Sequence, residues 1–196
     1  MTTADSSPIA AKAAVRAEIR AARRARTESD RVQAAGNIAD RVLPLLVDSP
    51  TVACYLSVPA EPGTAAIITL LRQRNARVLL PRVCGEVLEW IELTDSTAFS
   101  ESSLGISEPE GEALADALTE CDAIVLPALA ISVDGIRLGQ GGGFYDRALQ
   151  DVPTHSDGGP LLIGLLFDDE IVAALPAEDH DCRLDLAITP ERILSF

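Results

Sequence analysis

A chain of 196 residues with 47% hydrophobic side chains can bury one sizeable core, which excludes a disordered tail and suits one domain over residues 1–196. Its formal net charge of −14 argues against a nucleic-acid partner, because phosphate backbones are met by a basic excess. The charge is uneven: residues 1–50 carry eight Lys/Arg and six Asp/Glu, and the rest carry eight and 24.

Residues 1–10 read as a flexible start, and residues 1–11 have no apolar signal core. No run approaches the roughly 18 apolar residues of a membrane span, so no membrane partner is expected. Cys54, Cys84, Cys121 and Cys182 lack CxxC spacing, which fits reduced thiols in a cytoplasmic protein. With two histidines and scattered cysteines, zinc-ligand spacing is missing.

In chain order, residues 8–26 read as a helix rich in Ala and Arg. Lys12, Arg16, Arg20 and Arg24 recur every four residues along one stripe. Such a stripe is either a solvated face or an anion-binding edge. Glu28, Ser29 and Asp30 offer caps for a second helix over 30–47. The apolar, β-branched run 51–58 reads as a buried strand, 59–63 as a loop and 64–74 as a helix. Strands are expected at 77–80, stopped by Pro81, and at 87–93. Residues 94–112 are polar and turn-rich, while 122–126, 161–167 and 187–189 read as strands, with extended chain at 128–133. Alternating strands and helices predict an α/β fold: a mostly parallel sheet with helices on both faces, a Rossmann-like three-layer sandwich. Ligands in such folds sit outside the carboxyl ends of the strands.

The most informative segment is DGIRLGQGGGFYDRAL, residues 134–149, a strand–loop–helix junction. Gly139, Gly141, Gly142 and Gly143 allow close backbone approach and positive φ. Successive N–H groups there can face phosphate oxygens. Arg137 brings a cation able to fork onto phosphate, and Asp146 brings a carboxylate able to reach phosphate-bound Mg2+. A plain structural glycine turn remains the alternative. No Gly-Lys-Ser/Thr follows, so this is not a Walker A loop. Phe144 stands where a dinucleotide fingerprint needs its third glycine, which counts against an NAD-binding oxidoreductase.

As a string, Gly135 to Arg147 resembles the signature of the 5-formyltetrahydrofolate cyclo-ligase family. Further pieces follow in family order: Lys12 and Arg16 on the first helix; VACYLSVPAEPGT with Glu61; LLPRV at 79–83; Glu108-Pro109; LPALA at 126–130; and Leu175-Pro176 followed by His180-Asp181. The resemblance runs from about residue 11 to residue 192. The chain departs from the family pattern at Ile131, Gln140 and Phe144.

The resemblance implies conversion of 5-formyltetrahydrofolate and ATP to 5,10-methenyltetrahydrofolate, ADP and phosphate. Phosphorylation would turn the formyl oxygen into a leaving group, and N10 would attack the activated carbon. It also implies roles. ATP would be held by Lys12, Arg16, Arg137, Leu138, Gly139, Gln140, Gly141, Gly142, Gly143, Phe144 and Tyr145. Arg137 and Tyr145 would act catalytically. Leu56, Glu61, Trp90 and Tyr145 would receive the folate, and Asp146 and Asp181 would hold Mg2+. Trp90 reads equally well as a core residue, Asp146 as a helix-start residue favoured by the dipole, and Glu61 and Asp181 as solvated acids. Glu108 reads as a loop-structuring residue. Family members are often monomers, and a monomer acting on small molecules is expected. The rival reading is a nucleotide-binding relative with a changed substrate or a non-catalytic role.

Overall fold

The computed structural model describes residues 8–102, 105–176 and 182–196. The elements run α1 (Pro8–Ala25), α2 (Glu28–Val42), a 3-10 turn (Leu43–Leu46), β1 (Thr51–Cys54), α3 (Ala65–Gln73), β2 (Arg77–Cys84), β3 (Val87–Glu92), β4 (Phe99–Glu101), β5 (Ser107–Pro109), β6 (Ala123–Pro127), β7 (Ala130–Ser132), β8 (Arg137–Leu138), α4 (Phe144–Ala148), β9 (Leu161–Leu165), β10 (Ile171–Val172), β11 (Leu186–Ile188) and β12 (Ile193–Ser195).

The main sheet has seven strands in the order β12-β11-β9-β6-β1-β2-β3. Its five inner strands are parallel, and each edge carries one antiparallel strand, β12 or β3. From β1 the chain goes to β2 on one side and later to β6 on the other, so strand order reverses between β1 and β6. That reversal opens a crevice at the carboxyl ends of these two strands.

Period-2 alternation sorts the strand residues between two faces. Val52, Cys54, Val78, Leu80, Val125 and Ile163 face α2 and α3, which cover them with Ile38, Val42, Ile67 and Leu71. Ala53, Leu79, Ile124, Leu126 and Leu162 face the other way. There the cover is Ala117, Leu118 and Cys121 from a turn, Leu149 just past α4, and Trp90. Regular helices thus dominate one face, and turns with the short α4 fill the other. Each fully buried Leu, Ile or Val contributes about 1.5–3 kcal/mol, so both layers matter.

The first helix does not lie on the main sheet. Ile19 of α1 packs with Leu129, Ala130, Ile136 and Leu138 over the small sheet β10-β7-β8. Since β8 runs directly into Gly139, this places the basic stripe beside the glycine loop. Of the stretch expected to be flexible, Pro8–Ala10 already belong to α1, and residues 1–7 lie outside the described residues.

Three local outcomes differ from the sequence reading. Thr27 caps α2 in a reciprocal box with Asp30, two residues ahead of the expected start. Pro44 has no N–H to continue the helical ladder, so α2 ends at Val42 and tightens into the 3-10 turn. β2 passes through Pro81 to Cys84, because beyond Leu79 its only sheet neighbour is β3. Pro is tolerated on such an edge. Within the turn-rich stretch, β4 and β5 form a small antiparallel hairpin. Among the described residues no helix is long and apolar enough to cross a membrane.

Candidate functional site

A cavity of about 580 Å³ occupies the crevice at the strand reversal. That size is ordinary for a small-molecule site. Four regions build its walls: the chain leaving β1, the chain leaving β6 through β8 into the glycine loop, the first half of α1, and the β2–β3 hairpin with β5.

The chain leaving β1 is stapled by its own side chains. Tyr55 Oη donates to Pro62 O (2.8 Å), and the buried Thr64 donates its hydroxyl to Tyr55 O (2.8 Å). Ser57 and Thr64 exchange backbone-to-hydroxyl bonds at 3.1 Å each. These bonds replace the strand ladder past Cys54, so the expected strand 51–58 stops there and Tyr55–Val58 turn into the cavity wall. Leu56 and Glu61 both face the cavity. Val58 N–H donates to Glu61 Oε2 (3.2 Å), and Glu61 N–H returns to Val58 O (2.9 Å). Burial raises the Glu61 carboxyl above its ordinary value, opposed by the Val58 bond and by Arg23 and Gln140.

On the opposite wall, β8 pairs with β7 and holds Arg137 in place. Its Nη2 donates to Asp146 Oδ1 (2.5 Å) and its Nη1 to Pro127 O (3.2 Å). Its guanidinium carbon lies 5.7 Å from the Tyr145 ring centre. Arg137 is therefore buried and already paired, and its buried Nε has no hydrogen-bond partner. Asp146 is partly exposed and lines the cavity beside Arg137.

The glycines between them do specific work. Gly141 has φ +104°, a conformation that favours glycine, and a Cβ there would lie 3.6 Å from the Arg16 guanidinium carbon. Gly143 has φ +66° and caps α4 in the left-handed region. Arg16 Nε donates to Gly139 O (2.9 Å), tying α1 to the loop. Lys12, one turn earlier, is buried and lines the same cavity.

The structure thus brings together Lys12, Arg16, Leu56, Glu61, Arg137, Leu138, the loop 139–143, Phe144, Tyr145 and Asp146 around one cavity. The basic stripe divides: Lys12 and Arg16 face the site, Arg20 reaches Gln140 at the rim, and Arg24 is exposed. Trp90 is not in the cavity wall. It is buried with the second-face core, and its ring meets Tyr145 edge-on at 6.2 Å and 69°. It supports the site from behind because β3 places its side chain inward from the sheet edge. Burial also raises the Tyr145 phenol well above its usual value, so it stays protonated. Asp181 and His180 lie outside the described residues.

Several lining residues were not assigned to the site from the sequence, and Glu108 was read there as loop-structuring. Val83 and Leu88 come from the β2–β3 hairpin, and Glu108, buried on β5, accepts from Val83 N–H (3.2 Å) while facing the cavity. Nothing local in the sequence brings the 81–109 region to the site; only tertiary folding does. Among the described residues no three His, Cys, Asp or Glu side chains cluster as a metal site.

Comparison with known proteins places the chain in a family. The model of the 5-formyltetrahydrofolate cyclo-ligase family matches residues 8–190. A Mycolicibacterium smegmatis protein named 5-formyltetrahydrofolate cyclo-ligase is 36% identical over 155 residues, covering 76% of this chain and 77% of its own. An Escherichia coli K12 protein of the same name is 32% identical over 183 residues, covering 89% and 98%. The NMR structure of Aquifex aeolicus 5,10-methenyltetrahydrofolate synthetase has a TM-score of 0.80 at 24% identity, covering 94% of this chain and 92% of that one. At that identity it speaks for the fold. The chain belongs to the 5-formyltetrahydrofolate cyclo-ligase family and is an enzyme of the ligase class.

Proposed function

We propose that this enzyme converts 5-formyltetrahydrofolate and ATP to 5,10-methenyltetrahydrofolate, ADP and phosphate. The observation that carries the reading is one cavity with a glycine loop and two cations on one side and the Glu61 carboxylate on the other. The loop side suits a triphosphate, and a carboxylate suits the paired N–H donors of a pterin ring.

The difficulty of the reaction is that the N5-formyl group is an amide, whose oxygen leaves poorly. Transfer of the ATP γ-phosphoryl group to that oxygen makes it a leaving group. N10 then attacks the formyl carbon and gives up its proton, the C–O bond breaks, and phosphate departs with both electrons and takes up that proton. Such a transfer needs alignment and charge neutralisation more than a protein nucleophile.

Lys12 and Arg16 hold the phosphates from α1, and the N–H groups of 139–143 cradle them. Glu61 and Leu56 hold the pterin, and Tyr145 packs against the reacting region as a neutral phenol. Arg137 supplies positive charge from beneath, and it fixes both Asp146 and Tyr145 rather than forking openly onto phosphate. Asp146 fits Mg2+, because it is a partly exposed carboxylate in the cavity wall and the ion takes most of its ligands from phosphate and water. When bound, Mg2+ neutralises charge on the transferring phosphoryl group. Asp181 is proposed as a second ligand from the sequence pattern alone. We also place the enzyme in the cytoplasm as a monomer on small molecules, with no nucleic-acid or membrane partner. Its acidic balance and free thiols support that placement.

The test is absorbance at the methenyl-folate band, with purified protein, 5-formyltetrahydrofolate and Mg2+, before and after ATP. A rise that needs both ATP and Mg2+ supports the reading. Folate binding without cyclisation refutes it in favour of a relative with a changed role.

A further inference from the structure

N10 loses a proton as the methenyl bridge forms, and a group in the cavity has to receive it. Among the described residues three carboxylates line the cavity: Glu61, Glu108 and Asp146. Asp146 is paired with Arg137 at 2.5 Å and suits Mg2+, and Glu61 suits the pterin edge. Glu108 of β5 has neither task. It is buried, with 9% of its surface exposed.

The wall around Glu108 differs from the other walls. β5 and the β2–β3 hairpin bring the apolar side chains of Pro81, Val83, Leu88 and Ile106 to the cavity. Val83 N–H donates to Glu108 Oε1 (3.2 Å), which fastens the carboxylate to the hairpin. A carboxylate has about four acceptor sites, so this bond leaves capacity for a donor on a ligand. Burying a charge among apolar side chains costs free energy unless a partner offsets it. A reduced folate brings such a partner. With the pterin on Glu61 and the formyl group toward the glycine loop, the aminobenzoyl ring is the apolar part left to cover. N10 is bonded directly to that ring. An apolar wall that receives the ring therefore sets its embedded carboxylate beside N10–H.

We propose that Glu108 is a catalytic residue, the base that accepts the hydrogen bond of N10–H and takes its proton as N10 attacks. The inference rests on the proposed cyclo-ligase reading. The N10 electron pair forms the bond to the formyl carbon. The electrons of the N10–H bond stay on nitrogen as the proton moves to the Glu108 carboxylate. The C–O bond then breaks with both electrons leaving on phosphate, and Glu108 passes the proton to that phosphate. The carboxylate is regenerated, and nothing is oxidised or reduced.

The test compares the parent with Glu108→Gln, which keeps the size and an acceptor for Val83 N–H but takes no proton. Cyclisation is read at the methenyl-folate band. Phosphoryl transfer is read separately, from migration of a heavy-oxygen label out of the β,γ bridge of ATP in the presence of 5-formyltetrahydrofolate and Mg2+. Cyclisation should fall about a hundredfold, the lower end of what a positioned base contributes. Label migration should stay within about threefold of the parent, because phosphorylation precedes the loss of the proton. A side chain that only shapes the wall would slow both together. Parental cyclisation in Glu108→Gln, or label migration that falls in step with cyclisation, overturns the inference alone. Thermal melting confirms folding. Should Glu108→Gln melt early, Glu108→Ala is assayed with and without formate, a carboxylate small enough for the vacated space. Formate should raise its cyclisation about tenfold, and no gain overturns the inference. A parent that shows no ATP-dependent cyclisation overturns the proposed function and the inference with it.

Discussion

Arg23 of α1 and Glu170, just after β9, form an ion pair with side-chain exposures of 2% and 1%. Arg23 donates Nε to Oε1 (2.7 Å) and Nη2 to Oε2 (2.8 Å), and also Nη2 to Ala128 O (2.6 Å). Glu170 in turn accepts from Phe167 N–H (2.9 Å). The first helix, the end of β6 and the turn after β9 are thereby joined at one buried point. Arg23→Ala strands Glu170 without its counter-charge and is expected to cost about 3–5 kcal/mol in urea unfolding. A double Arg23→Met, Glu170→Met variant removes both charges at similar volume. It should recover most of that loss, because the desolvation cost disappears with the pair.

Glu61 gives a prediction of opposite sign for stability and binding. Burial raises its carboxyl in the folded state. A raised acid favours the folded state most below its unfolded value and loses that contribution as pH rises through its folded value. Glu61→Gln should therefore melt higher than the parent at pH 7 without ligand, and the gap should close as pH falls below about 4. The same variant should bind 5-formyltetrahydrofolate more weakly while nucleotide affinity is retained. Melting curves across pH and calorimetry with each ligand check both halves.

Asp146 is held by Arg137 at 2.5 Å and lines the cavity as a partly exposed carboxylate. Asp146→Asn should shift the Mg2+ titration of activity to about tenfold higher concentration. Arg137→Lys keeps the charge but loses the fork that orients Asp146 and Tyr145. It should lower kcat about a hundredfold with a smaller change in KM for ATP. An Mg2+ titration of Asp146→Asn that overlays the parent's would remove the carboxylate from the metal site.

Gly143 caps α4 at φ +66°, and a Cβ there would lie 2.7 Å from Arg147 Nη1. Arg147 also bonds Gly142 O (2.9 Å) and Glu86 O (2.7 Å), so displacing it loosens the loop's exit. Gly143→Ala should cost about 1–2 kcal/mol of stability and weaken nucleotide binding. Urea unfolding and nucleotide titration measure the two effects.

The thiols should react in a fixed order. Burial pushes the Cys121 thiol up to about 11 and the Cys54 thiol higher still, while Cys84 is exposed in the β2–β3 turn. The native protein should be alkylated first at Cys84, and Cys54 and Cys121 only after unfolding. Peptide mass spectrometry of a time course reads this directly.

Much of the fold was legible because its signals are local. Apolar runs marked β1, β6 and β9, and the Ala-rich stretch marked α1 within a residue of its end. The glycine string located the loop and Arg137 with it. The signals that failed were non-local. Nothing near Trp90 says that Tyr145 will cover its ring, so a folate contact and a core position read alike. Arg23 stood among other arginines, and only Glu170 at a separation of 147 residues makes it the buried one. Tyr55–Val58 look like strand because they are apolar, yet Ser57 and Thr64 divert them. The apolar character served the cavity wall instead of the ladder. Pro81 looked like a stop because the sequence does not reveal which strand lies at the edge.

The wide separations between α1 and its partners bear on how the protein is made. α1 leaves the ribosome first, but Gly139 and Glu170, which fasten it, lie 123 and 147 residues downstream of Arg16 and Arg23. Until Gly139 and then Glu170 have emerged, the helix that carries Lys12 and Arg16 lacks these two fastenings, whatever sheet has already formed. At elongation rates of about 5–20 residues per second, the 147 residues from Arg23 to Glu170 take roughly 7–30 seconds. A chain truncated before residue 139 therefore leaves Lys12 and Arg16, the two cations proposed to hold phosphate, without the loop that they face.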